Sequence, residues 1–243
     1  LGNYATLGLA EDTWAINERI IEEGAFEKQC YLIQEEREKM FFNALEKTRH
    51  GLCACVFDIT DRLQHLFWRY LDDRHPANAD KDKVQYKDAI DRVYVEMDRL
   101  AGKVIKKLTE RDVLIIMSDH GFNSFRRGIN LNSWLYRNGY LHLKAGEKGG
   151  EWFQGVDWSK TRAFALGLGG MYLNIRGRES EGVVEPGEEA GLLKRELKEK
   201  LTGLRDEETG EIGINSVHDS AETYQGPYKQ NAPDLIIGYN TGY

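Results

Sequence analysis

Neither an excess of basic residues nor a long apolar run occurs in this chain of 243 residues. Lysine and arginine number 33 against 40 aspartate and glutamate, a formal net charge of −7. Phosphate backbones are gripped through basic surface, so nucleic-acid-specific binding is excluded as the main activity. No uninterrupted apolar stretch approaches the roughly 20 residues that cross a bilayer as a helix, so no membrane span is expected. Cysteine is scarce, at three residues. Cys53 and Cys55 alternate within one apolar run and would face the same way on a strand, a poor geometry for a disulfide. With Cys30 unpaired as well, a reducing, cytoplasmic compartment is expected. Internal repeats and low-complexity tracts are missing too. What remains, at 41% hydrophobic and 30% charged, suffices for a sizeable core in one large domain or two small ones. The chain opens on Leu1 with no Met and closes soon after the apolar run Leu235-Ile236-Ile237. It is therefore expected to be a segment of a longer protein, with any export signal outside it.

Periodicity gives a coarse order of elements. Residues 27–49 read as helix, ended by His50-Gly51. The short apolar run Leu52-Cys-Ala-Cys-Val-Phe57 then suits a strand buried on both faces. From Asp61 to Asp72 the apolar positions Leu63, Leu66, Phe67, Tyr70 and Leu71 make one helical stripe. After a loop through His75-Pro76, a long helix reaches about Leu108, with Ile90, Val93, Met97, Leu100 and Val104 on one face. Asp112-Val-Leu-Ile-Ile-Met-Ser118 is the second apolar strand, so strand, helix, helix, strand forms a crossover with parallel pairing. Downstream lie a helix at Leu131 to Asn138 and short strands at 140–143, 162–165 and 171–175. A helix after Pro186 with Leu193, Leu197 and Leu201 follows, and a last strand at 234–237. The expected fold is α/β, a mostly parallel sheet flanked by helices and incomplete at both ends. A smaller α+β cap or insertion subregion is expected at about 140–243.

Two clusters carry metal-type chemistry, each just past a predicted buried strand, where open α/β sheets place their sites. Asp61 and His65 are four apart and stack on one helix face, opposite the apolar stripe. A carboxylate oxygen with an imidazole nitrogen suits Zn²⁺ or Mn²⁺. Helix capping by Asp61 and a solvated His65 would account for the pair equally simply. Trp68 on the same face weakens that reading, since a large aromatic is an odd choice for a face meeting only water. The second cluster, Ser118-Asp119-His120-Gly121, puts two ligand types at a sharp turn that Gly121 permits. An Asx-type turn with an incidental His is the plain alternative. Two strand ends each delivering Asp plus His would bring four ligands to one sheet edge.

The run Val56-Phe-Asp58-Ile-Thr-Asp61-Arg-Leu-Gln-His65-Leu-Phe-Trp68-Arg-Tyr70, followed by Met117-Ser-Asp119-His120-Gly121-Phe122, resembles the alkaline phosphatase superfamily. Within it, the match is to the type I phosphodiesterase/nucleotide pyrophosphatase branch. The tail segments Tyr224-Gln-Gly226-Pro227-Tyr228 and Asn231-Ala-Pro233-Asp234-Leu235 are similar to the large prokaryotic members. The resemblance implies an alkaline-phosphatase-like fold, of which this chain is an internal or C-terminal portion. It implies two divalent ions side by side, Zn or Mn, expected only in the complete protein. Asp61 and His65 would hold the ion that activates water; Asp119 and His120 would hold the ion beside a Thr or Ser nucleophile. That nucleophile and an upstream carboxylate are expected before Leu1, which leaves the segment alone inactive. A third histidine ligand is also required, and His142 and His218 are the remaining candidates.

Further expectations are smaller. Asp58 would orient a ligand histidine from behind, or cap its helix. Arg126 and Arg127 would reach a substrate phosphate, or lie in a solvated loop. The implied activity is metal-dependent hydrolysis of a phosphodiester or nucleotide pyrophosphate bond in a small-molecule phosphoester or nucleotide. A phosphoglycerate-mutase-like or monoester phosphatase reaction is the nearest alternative, and a non-catalytic metal-binding or interaction domain is another. Oligomeric state has no sequence signal.

Overall fold

The computed structural model describes residues 11–78 and 85–243, which divide into two compact units, 1–124 and 125–243. In the first unit, helix α1 spans Thr13–Asn17, and Asp12 caps it by accepting from the Ala15 N–H at 2.9 Å. Helix α2 runs Glu23–Lys47, α3 runs Ile59–Phe67 and α4 runs Ala89–Ile105. The three longer helices meet through side chains spaced three or four apart. These are Phe26 and Cys30 of α2, Ile59, Leu63 and Phe67 of α3, and Ala89, Ile90 and Val93 of α4. Cys30 thus behaves as a small core hydrophobe, fully buried. Phe67, Tyr70 and Tyr86 close the core as an aromatic trio with centroids 4.8 to 6.1 Å apart.

Past Phe67 the backbone tightens into a 3₁₀ turn over Trp68–Leu71. Three residues per turn carry each side chain about 120° round the axis rather than the roughly 100° of an α-helix, so the face turns faster. Tyr70 stays in the core, but Leu71 leaves the stripe that helical spacing predicted for it and is exposed.

The two expected parallel strands are the main correction. Residues 52–57 and 112–118 form no strand, and the backbone of neither run pairs with a described residue in a ladder. Leu52, Val56, Val113, Ile115, Ile116 and Met117 are all exposed. The fold still mixes helices and strands, but its sheet is antiparallel rather than mostly parallel. A strand needs at least one neighbouring strand to pair with, and an apolar run cannot supply its own hydrogen-bonding partner.

That sheet lies in the second unit. Strands β1 (Ala163–Leu166), β2 (Gly170–Leu173), β3 (Ile214–Asp219) and β4 (Leu235–Tyr239) take the order β1-β2-β4-β3, every pair antiparallel. The β1–β2 hairpin pairs Ala163 with Leu173 and Leu166 with Gly170, turning through Gly167 at φ +76°. Helix α5 (Leu131–Arg137) is capped by Asn130, which accepts from the Ser133 N–H at 2.9 Å. Helix α6 (Glu188–Leu201) buries Leu193, Leu197 and Leu201 in the same core as Met171, Leu173, Ile214 and Leu235. A four-residue helix α7 (Ser220–Thr223) follows β3 under the Asp219 cap.

Two local expectations change here. Residues 140–143 form only an isolated bridge, Leu143 to Val156, and no strand. Strand β3 was not foreseen, because a register shift between Ile214 and Ser216 breaks its inside–outside alternation.

Candidate functional site

Asp61 and His65 sit one turn apart on α3, facing away from its buried stripe of Ile59, Leu63 and Phe67. His65 Nε2 lies 3.3 Å from Asp61 Oδ1. The other oxygen, Oδ2, accepts from Arg62 Nη1 at 2.7 Å. Arg62 also reaches back to Glu11, Nε to Oε2 at 3.4 Å, and Glu11 is 2% exposed.

The second pair lies on the extended segment after Met117. Ser118 Oγ donates to the His120 carbonyl at 2.6 Å, and the His120 N–H donates to Asp119 Oδ1 at 3.1 Å, so the turn is held by its own side chains. His120 Nδ1 lies 3.0 Å from the Gly121 carbonyl. A carbonyl only accepts, so Nδ1 carries the proton in that contact. Nε2 is 3.6 Å from Asp119 Oδ2. The Gly121 carbonyl, then the Asp119 and Asp61 carboxylates, hold the His120 imidazole above its ordinary pKa.

Phe122 brings the pairs together. Its ring meets His65 edge-on at 4.8 Å and His120 at 5.5 Å between centroids. Trp68 lies 6.0 Å from the same ring, which accounts for a large aromatic on the Asp61/His65 face. The histidine of each pair thus meets one phenylalanine in the first unit, with its aspartate beside it. The four side chains form two pairs: among the described residues, no group of three or more His, Cys, Asp or Glu is placed to share a single ion.

The lesser candidates have other neighbours. Asp58 does not cap α3; its carboxylate pairs with Arg37 Nη1 of α2 at 2.5 Å. Arg126 and Arg127 lie in the second unit, where both backbone N–H groups donate to the Gly242 carbonyl. The Arg127 guanidinium is held by Asp206 at 2.6 Å and Glu208 at 2.9 Å. His142 Nε2 faces the Gly139 carbonyl at 3.2 Å, and His218 Nε2 faces Ser216 Oγ at 2.9 Å, both also in the second unit. Arg62, Glu11 and Phe122 are the neighbours that sequence reasoning passed over. Arg62 had a signal, since an arginine directly after a candidate ligand has the reach to fold back onto it.

The model of the type I phosphodiesterase/nucleotide pyrophosphatase family matches residues 11–243, and the chain belongs to that family, a branch of the alkaline phosphatase superfamily. No curated protein and no solved structure matches it.

Proposed function

We propose that this chain contributes a two-ion site for hydrolysis of phosphodiester or nucleotide pyrophosphate bonds, with Asp61 and His65 on one ion and Asp119 and His120 on the other. The observation that carries the reading is the convergence of both Asp/His pairs, through their histidines, on Phe122. Family membership supports the reaction class.

The donor sets fit divalent ions in type and in spacing. Two ligands of one tetrahedral zinc, each about 2.0–2.2 Å from it, stand about 3.4 Å apart. The His65–Asp61 and His120–Asp119 separations are 3.3 and 3.6 Å. Each pair therefore has the bite of half a coordination shell, and other ligands must fill the rest.

Ions held by Asp61 and His65 and by Asp119 and His120 would supply positive charge to offset the negative charge at phosphorus during an in-line displacement. The residues of this chain prepare that arrangement. The Gly121 carbonyl fixes the His120 tautomer so that Nε2 of the neutral ring offers a lone pair. Arg62 occupies one oxygen of Asp61 and leaves Oδ1 on the side of His65. Phe122 is in ring contact with both imidazoles, His65 at 4.8 Å and His120 at 5.5 Å between centroids. The reading also requires a hydroxyl nucleophile, and none of these four side chains can serve as one.

The test is hydrolysis of bis(p-nitrophenyl) phosphate by the full-length protein with Zn²⁺ or Mn²⁺. Metal-dependent turnover should fall more than about a hundredfold in both D61A and H120A. Metal-dependent turnover that survives both substitutions would overturn the proposal.

A further inference from the structure

Arg62 stands directly after a candidate ligand, and neighbouring helix residues point about 100° apart, so its guanidinium has no geometric obligation to meet Asp61. Yet Nη1 donates to Asp61 Oδ2 at 2.7 Å while Nε is 3.4 Å from Glu11 Oε2. The fork thus bridges two carboxylates, one on α3 and one just ahead of α1. Its anchor is firm: Glu11 is 2% exposed, and the Arg62 side chain is 17% exposed. A carboxylate that deep needs a cation, and Arg62 provides it. Lysine could supply the charge but not two donors in fixed, divergent directions.

We propose that Arg62 is a positioning residue for the first ion, fixing Asp61 as a one-oxygen ligand while the buried Glu11 holds Arg62 in place. This inference rests on the two-ion reading above. The carboxylate has two ways to fail as a partner of His65: rotating away, or turning both oxygens toward one ion. Pinning Oδ2 prevents both and keeps Oδ1 at 3.3 Å from His65 Nε2. A lone cation at this spot would repel a divalent ion. Glu11 offsets that charge, so the Glu11–Arg62 unit orients the ligand at little electrostatic cost.

The experiment is a titration of the full-length protein with Co²⁺, read by its visible d–d absorption, which reports coordination without any turnover. Removing a group that holds a ligand in place costs metal affinity by about 10–100-fold. R62Q should weaken one Co²⁺ by that factor, the same ion that D61A abolishes, and leave the ion lost in D119A unchanged. Because R62Q strands a buried carboxylate, E11Q/R62Q is measured beside it; with no charge left alone it should fold and show the same loss. A folded E11Q/R62Q protein, with wild-type circular dichroism, that binds both ions within twofold of wild type overturns the inference while the two-ion reading stands. A wild-type protein whose Co²⁺ binding is indifferent to D61A and D119A overturns both.

Discussion

Replacing Ile115 with lysine separates two incompatible pictures of residues 112–118. Were the run a strand buried on both faces, as its composition suggests, a lysine there would lose the isoleucine and bury an unpaired charge, costing more than about 4 kcal/mol. The structure gives a different figure. Ile115 is 75% exposed, so only about a quarter of the roughly 1.5–3 kcal/mol worth of a fully buried isoleucine is at stake, or about 0.4–0.8 kcal/mol. The new ammonium meets water and adds little. Urea unfolding of this 243-residue chain, followed by circular dichroism, measures the difference. Leu63→Ala is the reference, because Leu63 is fully buried in the three-helix core and its truncation should cost about 2–5 kcal/mol. I115K should fall below 1 kcal/mol on the same scale, by the about 0.5 kcal/mol typical of surface changes. It should also lower the binding of an apolar dye, since it breaks the exposed apolar run that Ile115 forms with Val113, Leu114, Ile116 and Met117. A loss from I115K as large as that from L63A would refute the exposed arrangement and restore a buried strand.

Other expectations follow from burial and backbone geometry. Burial, then the Glu11 carboxylate, pushes the Cys30 thiol up to about 12 from 9.0. Its thiolate fraction at pH 8 is thereby cut by about a thousandfold, so an alkylating reagent should modify the exposed Cys55 well before Cys30, as peptide mass mapping would register. Equal labelling of the two in the folded chain would contradict the placement of Cys30. In the second unit, a Cβ added at Gly182 would run into the Ile175 carbonyl and the Arg176 nitrogen, both backbone atoms that no rotamer change can move. Gly182→Ala should destabilise by about 1–3 kcal/mol, as overpacking does, and a melting temperature equal to wild type would count against that contact.

What the sequence made legible was local. Asp61 and His65 are four apart on a helix, and the i, i+4 rule alone places them together at 3.3 Å. The α4 face of Ile90, Val93, Leu100 and Val104 and the α6 face of Leu193, Leu197 and Leu201 were readable for the same reason, because 3.6-residue periodicity is written into consecutive positions. The apolar runs at 52–57 and 112–118 carry no such information about their neighbours. Composition marks them as strand-forming, but pairing is a relation between distant segments, and a run of Val, Leu and Ile reads alike whether or not a ladder completes it. The observed sheet escaped for the complementary reason. Strand β3 mixes Asn215, Ser216 and His218 with two buried apolar residues, and its bulge erases the alternation that would have marked it.

The same distinction explains what was missed around the candidate ligands. Phe122 is adjacent in sequence to Gly121 and easily dismissed as the tail of a motif, but its role depends on reaching His65 from a segment 57 positions away. Glu11 lies 51 positions before Arg62, and nothing in either residue's surroundings advertises the pairing. Ligand types recur at short spacings because a helix turn or a tight loop is enough to aim two side chains at one point. The groups that hold those ligands still come from elsewhere in the fold, since a ligand already committed to its ion has no spare local neighbour to brace it. Asp61 fits that logic: His65 meets it from within the helix, while the residue that fixes Arg62 against it, Glu11, lies ahead of α1. Reading a motif therefore finds the donors, and only the folded chain identifies the residues that make them rigid.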